Sequence, residues 1–423
     1  MYQIIANKAL FRLIGAVLPL LTASHALAAS LTLSEAERLA LKDDYVLRAL
    51  SARSLSMSEL SVASGKLPDP MLKLGFANLP TDSFNLGQEP MTQAVIAISQ
   101  QFPRGQTRAL NSARVLESAA RSDAEAQDRR QKIKLAVRHE FTRIYLHRER
   151  QRILQQSLVV FADLAEITRD YYATGRAQQQ DVVQSQLELS KVEERLSRIG
   201  QQEEEARARL AESIGEAAWM DLDPHWPEIA QPLPAQEIIN SLNGHPRMRA
   251  WQHEIAKSKT SEEIARQAYK PGFAVDLAYG GRGGQNIDGS DRSDLFSVFV
   301  TMDIPLFTNN RQDRVLASSI AETSATRYVR DDIYRSMKAR VAENSASLAR
   351  QQQRLELYQN NLLPQAAFNA EASFEAYQDA VDDLTTLMRA RIGEYELKLD
   401  HASLRADEIM TRADLLYLQG EAS

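Results

Sequence analysis

The sequence runs through one pattern of segments twice, with an offset of about 200 residues between the copies. In each half, two short runs of alternating apolar and polar residues come first, at 71–78 and 93–101 and then at 272–280 and 294–303. Each half continues as a long helical pattern that leads to a tyrosine-centred turn. Because a chain with two copies of one unit usually stacks them, the fold must accommodate four short strands and two pairs of long helices.

The composition favours long polar helices over a large compact core. Of the 423 residues, 25% are charged and only 7% are aromatic. The chain contains no cysteine, which excludes disulfides, thiolate zinc sites and a cysteine nucleophile. The chain has 50 basic and 56 acidic residues. Its lysine and arginine residues form no cluster interleaved with aromatic residues, so nucleic-acid binding is not predicted.

No motif predicts catalysis, a cofactor or a metal site. The glycine-rich segment Gly280–Gly284 lacks the Gly-Lys-Ser/Thr ending of a phosphate-binding loop. The pair His139-Glu140 lacks the second histidine of a zinc protease motif, and no serine lies in a nucleophile-elbow sequence. We therefore expect a protein that is not an enzyme and that binds no cofactor.

Residues 1–28 have the features of a secretory signal peptide. Lys8 and Arg12 give a basic start, Leu13–Ala23 forms an apolar core, and Ala26-Leu27-Ala28 has the small-x-small form of a cleavage site. No later segment reaches the ~18 consecutive apolar residues of a spanning helix. The mature chain is therefore predicted to be exported, and to enter a membrane only as strands.

The two copies of the pattern define the predicted domain organisation. The first structural repeat is predicted at 29–215, with a helical hairpin at about 106–213. The second is predicted at 235–423, with a helical hairpin at about 310–418. The proline-rich segment 216–234 links them.

The helical arms are unusually long. No proline or glycine interrupts the stretch from Gln106 to Tyr172, which would form roughly 100 Å of helix. In the corresponding arm of the second repeat, Pro364 should kink the helix because it removes a backbone donor. The last helix carries a heptad seam, which predicts coiled-coil packing. The seam consists of Met388, Ile392, Tyr395, Leu399, Ala402, Ala406, Ile409, Ala413 and Leu416.

Apolar residues alternate along the first strand of each repeat. They are Leu72, Leu74, Phe76, Val275, Leu277 and Tyr279. We predict that these residues face lipid, while Lys73 and Asp276 face a lumen. Four strands are too few to close a barrel, which needs about eight, and an open sheet would leave exposed edges. The pattern therefore predicts that several chains pool their strands into a barrel in the outer membrane of a Gram-negative bacterium, with the helices projecting into the periplasm.

Three motifs together carry a resemblance to a known family. They are Tyr172-Ala173-Thr174-Gly175-Arg176-Ala177-Gln178 with the following Asp181-Val182-Val183, then Ile304-Pro305-Leu306-Phe307, and Leu362-Leu363-Pro364 ahead of Tyr377. With these motifs the chain resembles the TolC family of outer-membrane efflux factors over essentially the whole mature sequence. Three further segments are most similar to the members that serve heavy-metal efflux pumps: Gly65–Pro70, Asn78–Pro80 and Gln101–Gly105.

The resemblance implies a mostly α fold with a small β part, built from two structural repeats. It implies a homotrimer, in which a twelve-stranded outer-membrane β-barrel, with four strands from each chain, lies over a periplasmic tunnel of twelve helices. The chain would then be the passive exit duct of a tripartite pump that exports heavy-metal cations. Its partners would be a periplasmic adaptor and an inner-membrane RND-type pump.

The resemblance also gives roles to the turns at the ends of the two hairpins. The adaptor would dock on Tyr172, Thr174, Gly175, Arg176, Tyr377, Ala380 and Val381. Ala380 stands where the family usually has glycine, so we expect a turn that does not rely on a free positive-φ residue. The acidic ring that often narrows the family's tunnel falls on Thr386 and Arg389 here. The candidates for the tunnel gate are therefore Asp181, Asp379, Asp382 and Asp383.

Two alternatives stay open at this point. The same duct could serve drug efflux or type I protein secretion with a different pump. The chain could also be a periplasmic coiled-coil scaffold without membrane strands, although the four alternating runs argue against it.

Overall fold

The computed structural model describes residues 30–420, and the predicted signal peptide at 1–28 lies outside them. The described helices are α1 (Leu33–Lys42), α2 (Tyr45–Ser64), α3 (Thr107–Ala173), α4 (Gln179–Ile214), α5 (Ala235–Ser241), α6 (Pro246–Gln267), α7 (Gln312–Leu357), α8 (Leu363–Gln378) and α9 (Leu384–Gln419). The strands are β1 (Met71–Ala77), β2 (Gln93–Phe102), β3 (Gly272–Gly281) and β4 (Leu295–Asp303). Across residues 30–420, no helix combines the length and the hydropathy needed to cross a membrane.

The helical segment before β1 consists of two helices. Asp43 and Asp44 separate α1 from α2. Asp44 is the N-cap of α2, and its Oδ1 accepts the Leu47 N–H at 2.6 Å. Its Oδ2 accepts a hydrogen bond from Arg129 of α3 at 2.5 Å. A cap that is bonded to another helix therefore sets the break.

The four strands form one antiparallel sheet in the order β1-β2-β3-β4, with β1 and β4 at its edges. Each strand begins and ends within one residue of the segment predicted from alternation. Across the sheet, Leu74 lies opposite Ile96, Ile96 opposite Tyr279, and Tyr279 opposite Phe296. Because directly opposed residues share a face, one face carries apolar side chains from all four strands.

The two long helical arms have the same length. α3 contains 67 residues, and the arm of the second half consists of α7 with 46 residues, a π-helical turn at Tyr358–Leu362 with 5, and α8 with 16. The π turn directly precedes the first turn of α8, where Pro364 lies, so this turn accommodates the predicted interruption. The returning helices α4 and α9 contain 36 residues each. The second half differs instead in the connection 304–311 before α7, which is longer than the connection 103–106 before α3.

The helices form two rows that share α3. Next to the sheet, α2 packs on α3, α3 on α6, and α6 on α7, in the order of the strands to which they connect. Towards the turns, α4 packs on α3, α3 on α9, and α9 on α8. Each row therefore ends at two outer helices, just as the sheet ends at two edge strands.

The core lies between the helices, in clusters spaced along α3. Near the turns, Phe161 of α3 meets Tyr395 of α9 edge to face, with ring centroids 6.0 Å apart. Farther along α3, Trp226 of the predicted linker lies 6.2 Å from the ring of Tyr145. The Arg405 guanidinium of α9 lies 4.9 Å from the Trp226 ring. The linker is therefore packed against helices of both halves.

Candidate functional site

The turn after α3 is the first tip. Gly175 has a φ of 72°. The Arg176 N–H donates to the Tyr171 carbonyl at 2.7 Å, and the Gly175 N–H donates to the Tyr172 carbonyl at 3.0 Å. These are the two bonds of a Schellman motif, which closes a helix C-terminus through a residue of positive φ.

The turn after α8 is the second tip, and it has the same hydrogen bonds. The Val381 N–H donates to the Ala376 carbonyl at 2.9 Å, and the Ala380 N–H donates to the Tyr377 carbonyl at 3.2 Å. Ala380 has a φ of 58°. The expectation of a turn that does not rely on positive φ is therefore wrong, because Ala380 adopts the left-handed conformation that this motif requires.

Most of the predicted docking residues lie on the surface of the tips. The exposed fraction is 48% for Tyr172 and 79% for Val381. Four others are also exposed: Thr174, Gly175, Arg176 and Ala380. Tyr377 is different, because it is only 8% exposed and its ring centroid lies 5.7 Å from that of Tyr171. Burial raises the pKa of the Tyr377 hydroxyl. This tyrosine therefore packs α8 against α3 and does not contribute its ring to an exposed docking surface.

Two of the four acidic gate candidates cap helices. Asp181 closes a capping box at the start of α4, where its Oδ2 accepts the Gln178 N–H at 2.8 Å. Asp383 is the N-cap of α9, and its Oδ1 accepts the Thr386 N–H at 2.8 Å. This backbone hydrogen bond holds the pKa of the Asp383 carboxyl below its usual value. Both carboxylates therefore stabilise the helices that return from the tips.

The other two acidic candidates, Asp379 and Asp382, lie in the second tip, and their side chains are exposed. Together with Asp383, they place three carboxylates at the second tip, between positions 379 and 383. Among residues 30–420 no group of three or more histidine, aspartate or glutamate side chains has the geometry to hold a metal ion. The second tip is therefore an acidic surface without a metal-binding cluster in the described part of the chain.

The apolar face of the sheet is exposed. It carries the six predicted lipid-facing residues, Leu72, Leu74, Phe76, Val275, Leu277 and Tyr279. It also carries residues of β2 and β4 that the sequence analysis did not single out: Ile96, Ile98, Phe296, Val298 and Val300. The exposed fraction reaches 71% at Leu74 and 68% at Phe296. Alternation along β2 and β4 was the available signal, but apolar residues on the other face, such as Val95 and Phe299, obscure it.

An ion pair joins the two halves at the helical end of the sheet. Arg104, which follows β2, pairs with Asp303 at the end of β4, and its Nη1 donates to the Ala268 carbonyl at 2.9 Å. Asp303 also accepts the Gly272 N–H at the start of β3. Arg104 and Asp303 lie 199 positions apart in the sequence, so no local pattern could predict their contact.

Comparisons with known proteins agree with this architecture. Residues 238–421 match the family model described as outer membrane efflux protein. No curated protein matches the chain.

Three solved structures illustrate the likeness of fold. The outer-membrane channel OprN has a TM-score of 0.77 at 15% identity, over 92% of this chain and 89% of that chain. The outer membrane protein VceC from Vibrio cholerae has a TM-score of 0.77 at 15% identity, over 92% of this chain and 96% of that chain. CusC has a TM-score of 0.77 at 12% identity, over 93% of each chain.

At these identities the solved structures establish the fold, which is mostly helical with one small sheet. The family match covers the second half of the chain, and the shared fold extends over nearly all of it. Together they confirm the resemblance drawn from the tip and strand-exit motifs. Residues 238–421 thus match the outer membrane efflux protein family, and the chain has the fold of TolC-like outer-membrane channels.

Proposed function

We propose that this chain is the outer-membrane exit duct of a tripartite efflux pump. The observation that carries the proposal is the sheet, which exposes an apolar face and has two edge strands without partners within residues 30–420. In water, such a sheet would be an aggregation site. In lipid, every backbone donor and acceptor at a strand edge must be paired. A closed barrel built from several copies satisfies both requirements.

Three copies would give a barrel of twelve strands, which is wide enough to leave a lumen. In it, β4 of one copy would pair with β1 of the next, with the apolar faces towards lipid and the faces that carry Lys73 and Asp276 towards the lumen. The outer helices of each row would meet those of the neighbouring copies in the same way. A tunnel of twelve helices would then continue the barrel, with a wall formed by two structural repeats from each chain.

The helices would project into the periplasm from the outer membrane of a Gram-negative bacterium. α3 alone is 67 residues long, which corresponds to roughly 100 Å. Its far end carries the exposed tip residues Tyr172 and Arg176, and the second tip carries Val381. A periplasmic adaptor would dock there, and an inner-membrane RND-type pump would supply the energy, because the sequence has no phosphate-binding loop.

We propose heavy-metal cations as the cargo. The support is the similarity of 65–70, 78–80 and 101–105 to the heavy-metal members of the family. A second support is the charge of Asp379 and Asp382, since a ring of exposed carboxylates at a narrow entrance raises the local concentration of cations. We propose these two residues, rather than the helix-capping Asp181 and Asp383, as the gate carboxylates.

A deletion strain complemented with the full-length gene tests the duct and the cargo separately. We expect the gene to restore growth on salts of copper, zinc or cobalt, and the protein to migrate as a heat-modifiable trimer from the outer-membrane fraction. Restored growth on drugs alone, or restored secretion of a protein, would keep the duct and replace the cargo. A monodisperse helical monomer in the periplasmic fraction would overturn the duct and favour the scaffold.

A further inference from the structure

The connection between β4 and α7 exposes a short apolar turn at 304–307. Within it, Ile304, Leu306 and Phe307 have exposed fractions of 61%, 72% and 89%. None of the three belongs to the apolar clusters in the described part of the chain. The corresponding connection of the first half, 103–106, reads Pro-Arg-Gly-Gln and carries no such side chains. The apolar turn is therefore specific to the second half, and joining a strand to a helix does not require it.

Backbone hydrogen bonds close the apolar turn. The Leu306 N–H donates to the Ile304 carbonyl at 3.0 Å, and Pro305 has no N–H. Next to the turn, the Thr308 carbonyl accepts the Arg311 N–H at 3.1 Å. Irregular backbone is not tolerated where it faces the hydrocarbon region of a membrane, because its polar groups would lack partners. A turn of this kind is compatible with the hydrated interface of a membrane instead.

The apolar turn continues the apolar face of the sheet. Side chains alternate along β4, and the row on this face ends with Met302, which lies opposite Phe273. The ring of Phe273 stacks on that of Phe102, with centroids 5.1 Å apart. Ile304 follows Met302 by two residues, which keeps it on the same side of an extended chain. The turn therefore extends the surface that faces lipid in the proposed barrel.

The length of the sheet places the turn at one boundary of the membrane. Aromatic girdles of membrane barrels flank an apolar band about 25 Å tall. Tyr279 and Phe273 are six residues apart on β3, which is roughly 20 Å along the strand and 15 Å along the membrane normal at a tilt of about 40°. If Tyr279 lies at one boundary, Phe273 lies inside the band. Phe307 comes five residues after Met302, the partner of Phe273, and this segment adds roughly 10 Å, which reaches the second boundary.

Exposed arginines follow the apolar turn. Arg311 directly precedes α7, Arg314 lies in the first turn of this helix, and both side chains are exposed. Asp313 lies between them in the sequence, and it accepts a hydrogen bond from the Tyr269 hydroxyl at 2.7 Å. Guanidinium groups suit phosphate oxygens as hydrogen-bond acceptors. An apolar turn followed by two arginines thus has the chemistry of a contact with phospholipid headgroups.

We infer that the apolar turn anchors the chain in the headgroup layer of the phospholipid leaflet nearest the helices. The inference rests on the proposed barrel and adds a lipid contact outside its strands. Leu306 and Phe307 lie among the first acyl carbons, and Arg311 lies at the level of the phosphates. A second copy is the poorer occupant, because it would meet β4 along the strand edge, whereas the turn continues the outward face of the sheet.

Tryptophan fluorescence measures the depth of the turn in a membrane. The full-length Phe307→Trp protein is reconstituted in vesicles of phosphatidylethanolamine and phosphatidylglycerol that carry a nitroxide either on the headgroup or near the end of an acyl chain. The unmodified protein, with Trp219, Trp226 and Trp251, gives the baseline. We expect the headgroup label to quench most of the fluorescence that Phe307→Trp adds, and the acyl label to quench much less of it.

Two variants provide matched aromatic controls. Phe273→Trp lies on the apolar face of the sheet inside the band, so the acyl label should quench it more than the headgroup label. Tyr328 of α7 is 74% exposed, but it lies sixteen residues after Gln312, the first residue of the helix, which is roughly 24 Å. Neither label should quench Tyr328→Trp, and equal quenching at 307 and 328 would overturn the anchor.

The outcomes separate the anchor from the proposed function. Quenching of Phe273→Trp without quenching of Phe307→Trp would overturn the anchor and leave the barrel intact; a blue-shifted emission at 307 would then indicate that a neighbouring copy covers the turn. Stronger quenching of Phe307→Trp by the acyl label would overturn its place in the headgroup layer. Quenching at neither position would overturn both the anchor and the barrel. If Phe307→Trp does not assemble, Leu306→Trp tests the same turn.

Discussion

Replacing Ala380 by glycine should stabilise the second tip. Ala380 has a φ of 58°, and the Schellman hydrogen bonds of the tip depend on that conformation. The left-handed conformation costs an L-residue roughly 1–2 kcal/mol. Glycine avoids this cost but loses roughly 0.5–1 kcal/mol more backbone entropy on folding. The net gain from Ala380→Gly should therefore be about 0.5–1 kcal/mol.

The first tip provides the matched control. Gly175 has the same hydrogen bonds at a φ of 72°, and a Cβ added there would meet no atom within 4 Å. Gly175→Ala should therefore destabilise the first tip by a similar amount through backbone conformation alone, without a steric clash. The two substitutions exchange the residues of the two turns and should have opposite effects.

Amide hydrogen exchange at the tips measures both effects. The Val381 and Asp382 amides donate to the Ala376 carbonyl, and their protection should rise about two- to fivefold in Ala380→Gly. The Arg176 and Ala177 amides, which donate to the Tyr171 carbonyl, should lose protection by a similar factor in Gly175→Ala. Unchanged or reduced protection of Val381 in Ala380→Gly would refute the argument that this turn is strained.

Three further predictions concern the sheet, the docking surface and the response to pH. Leu74→Arg should destabilise the assembled protein in the outer membrane by roughly 2–4 kcal/mol if residue 74 lies near the midplane. Gly75→Arg, on the opposite face of the sheet where an added Cβ meets open space, should have a smaller effect. Equal yields of the two variant trimers would contradict the predicted orientation of the sheet. A β-branched residue is strongly disfavoured at positive φ, so Gly175→Val should distort the first tip. The variant should remain a trimer in the outer membrane but lose export and lose crosslinking of the adaptor from position 174. Normal export by this variant would exclude the first tip as the docking site. The hydrogen bond from the Thr386 N–H lowers the pKa of the Asp383 carboxyl. The stability that Asp383 gives to α9 should therefore be present above the unfolded pKa of about 3.9 and be lost as pH falls through the lower folded pKa. Asp383→Asn should remove that part of the pH dependence of amide exchange at Thr386.

The strands and the long arms were predictable because their signals are local. The alternation of apolar and polar residues predicted the ends of each strand to within one residue of their positions in the structure. The absence of proline and glycine after Gln106 predicted the length of α3. The π turn before α8 could be anticipated only as an interruption, because Pro364 removes a hydrogen bond but does not determine how neighbouring residues rearrange.

The features that were missed depend on contacts between distant parts of the chain. Asp44, the N-cap of α2, is also bonded to Arg129 of α3, and Arg104 pairs with Asp303 across the two halves. Tyr377 follows the same sequence pattern as the exposed Tyr172, but the packing of α8 on its neighbours buries it. The capping roles of Asp181 and Asp383 could have been predicted from the sequence, because aspartate is favoured at helix N-termini. Both residues were instead assigned to a tunnel gate.

The longer connection at 304–311 indicates where the chain can change length. One residue inserted within α3 would shift the first tip by about 1.5 Å and rotate it by about 100°, so the packing on α9 would lose its register. Residues added to the connection leave the helices unchanged, and this segment is already exposed, with Phe307 at 89%. Insertions and deletions among related chains should therefore concentrate at 308–311, after the strand-exit motif. A peptide tag placed in this connection should likewise leave both tips in position.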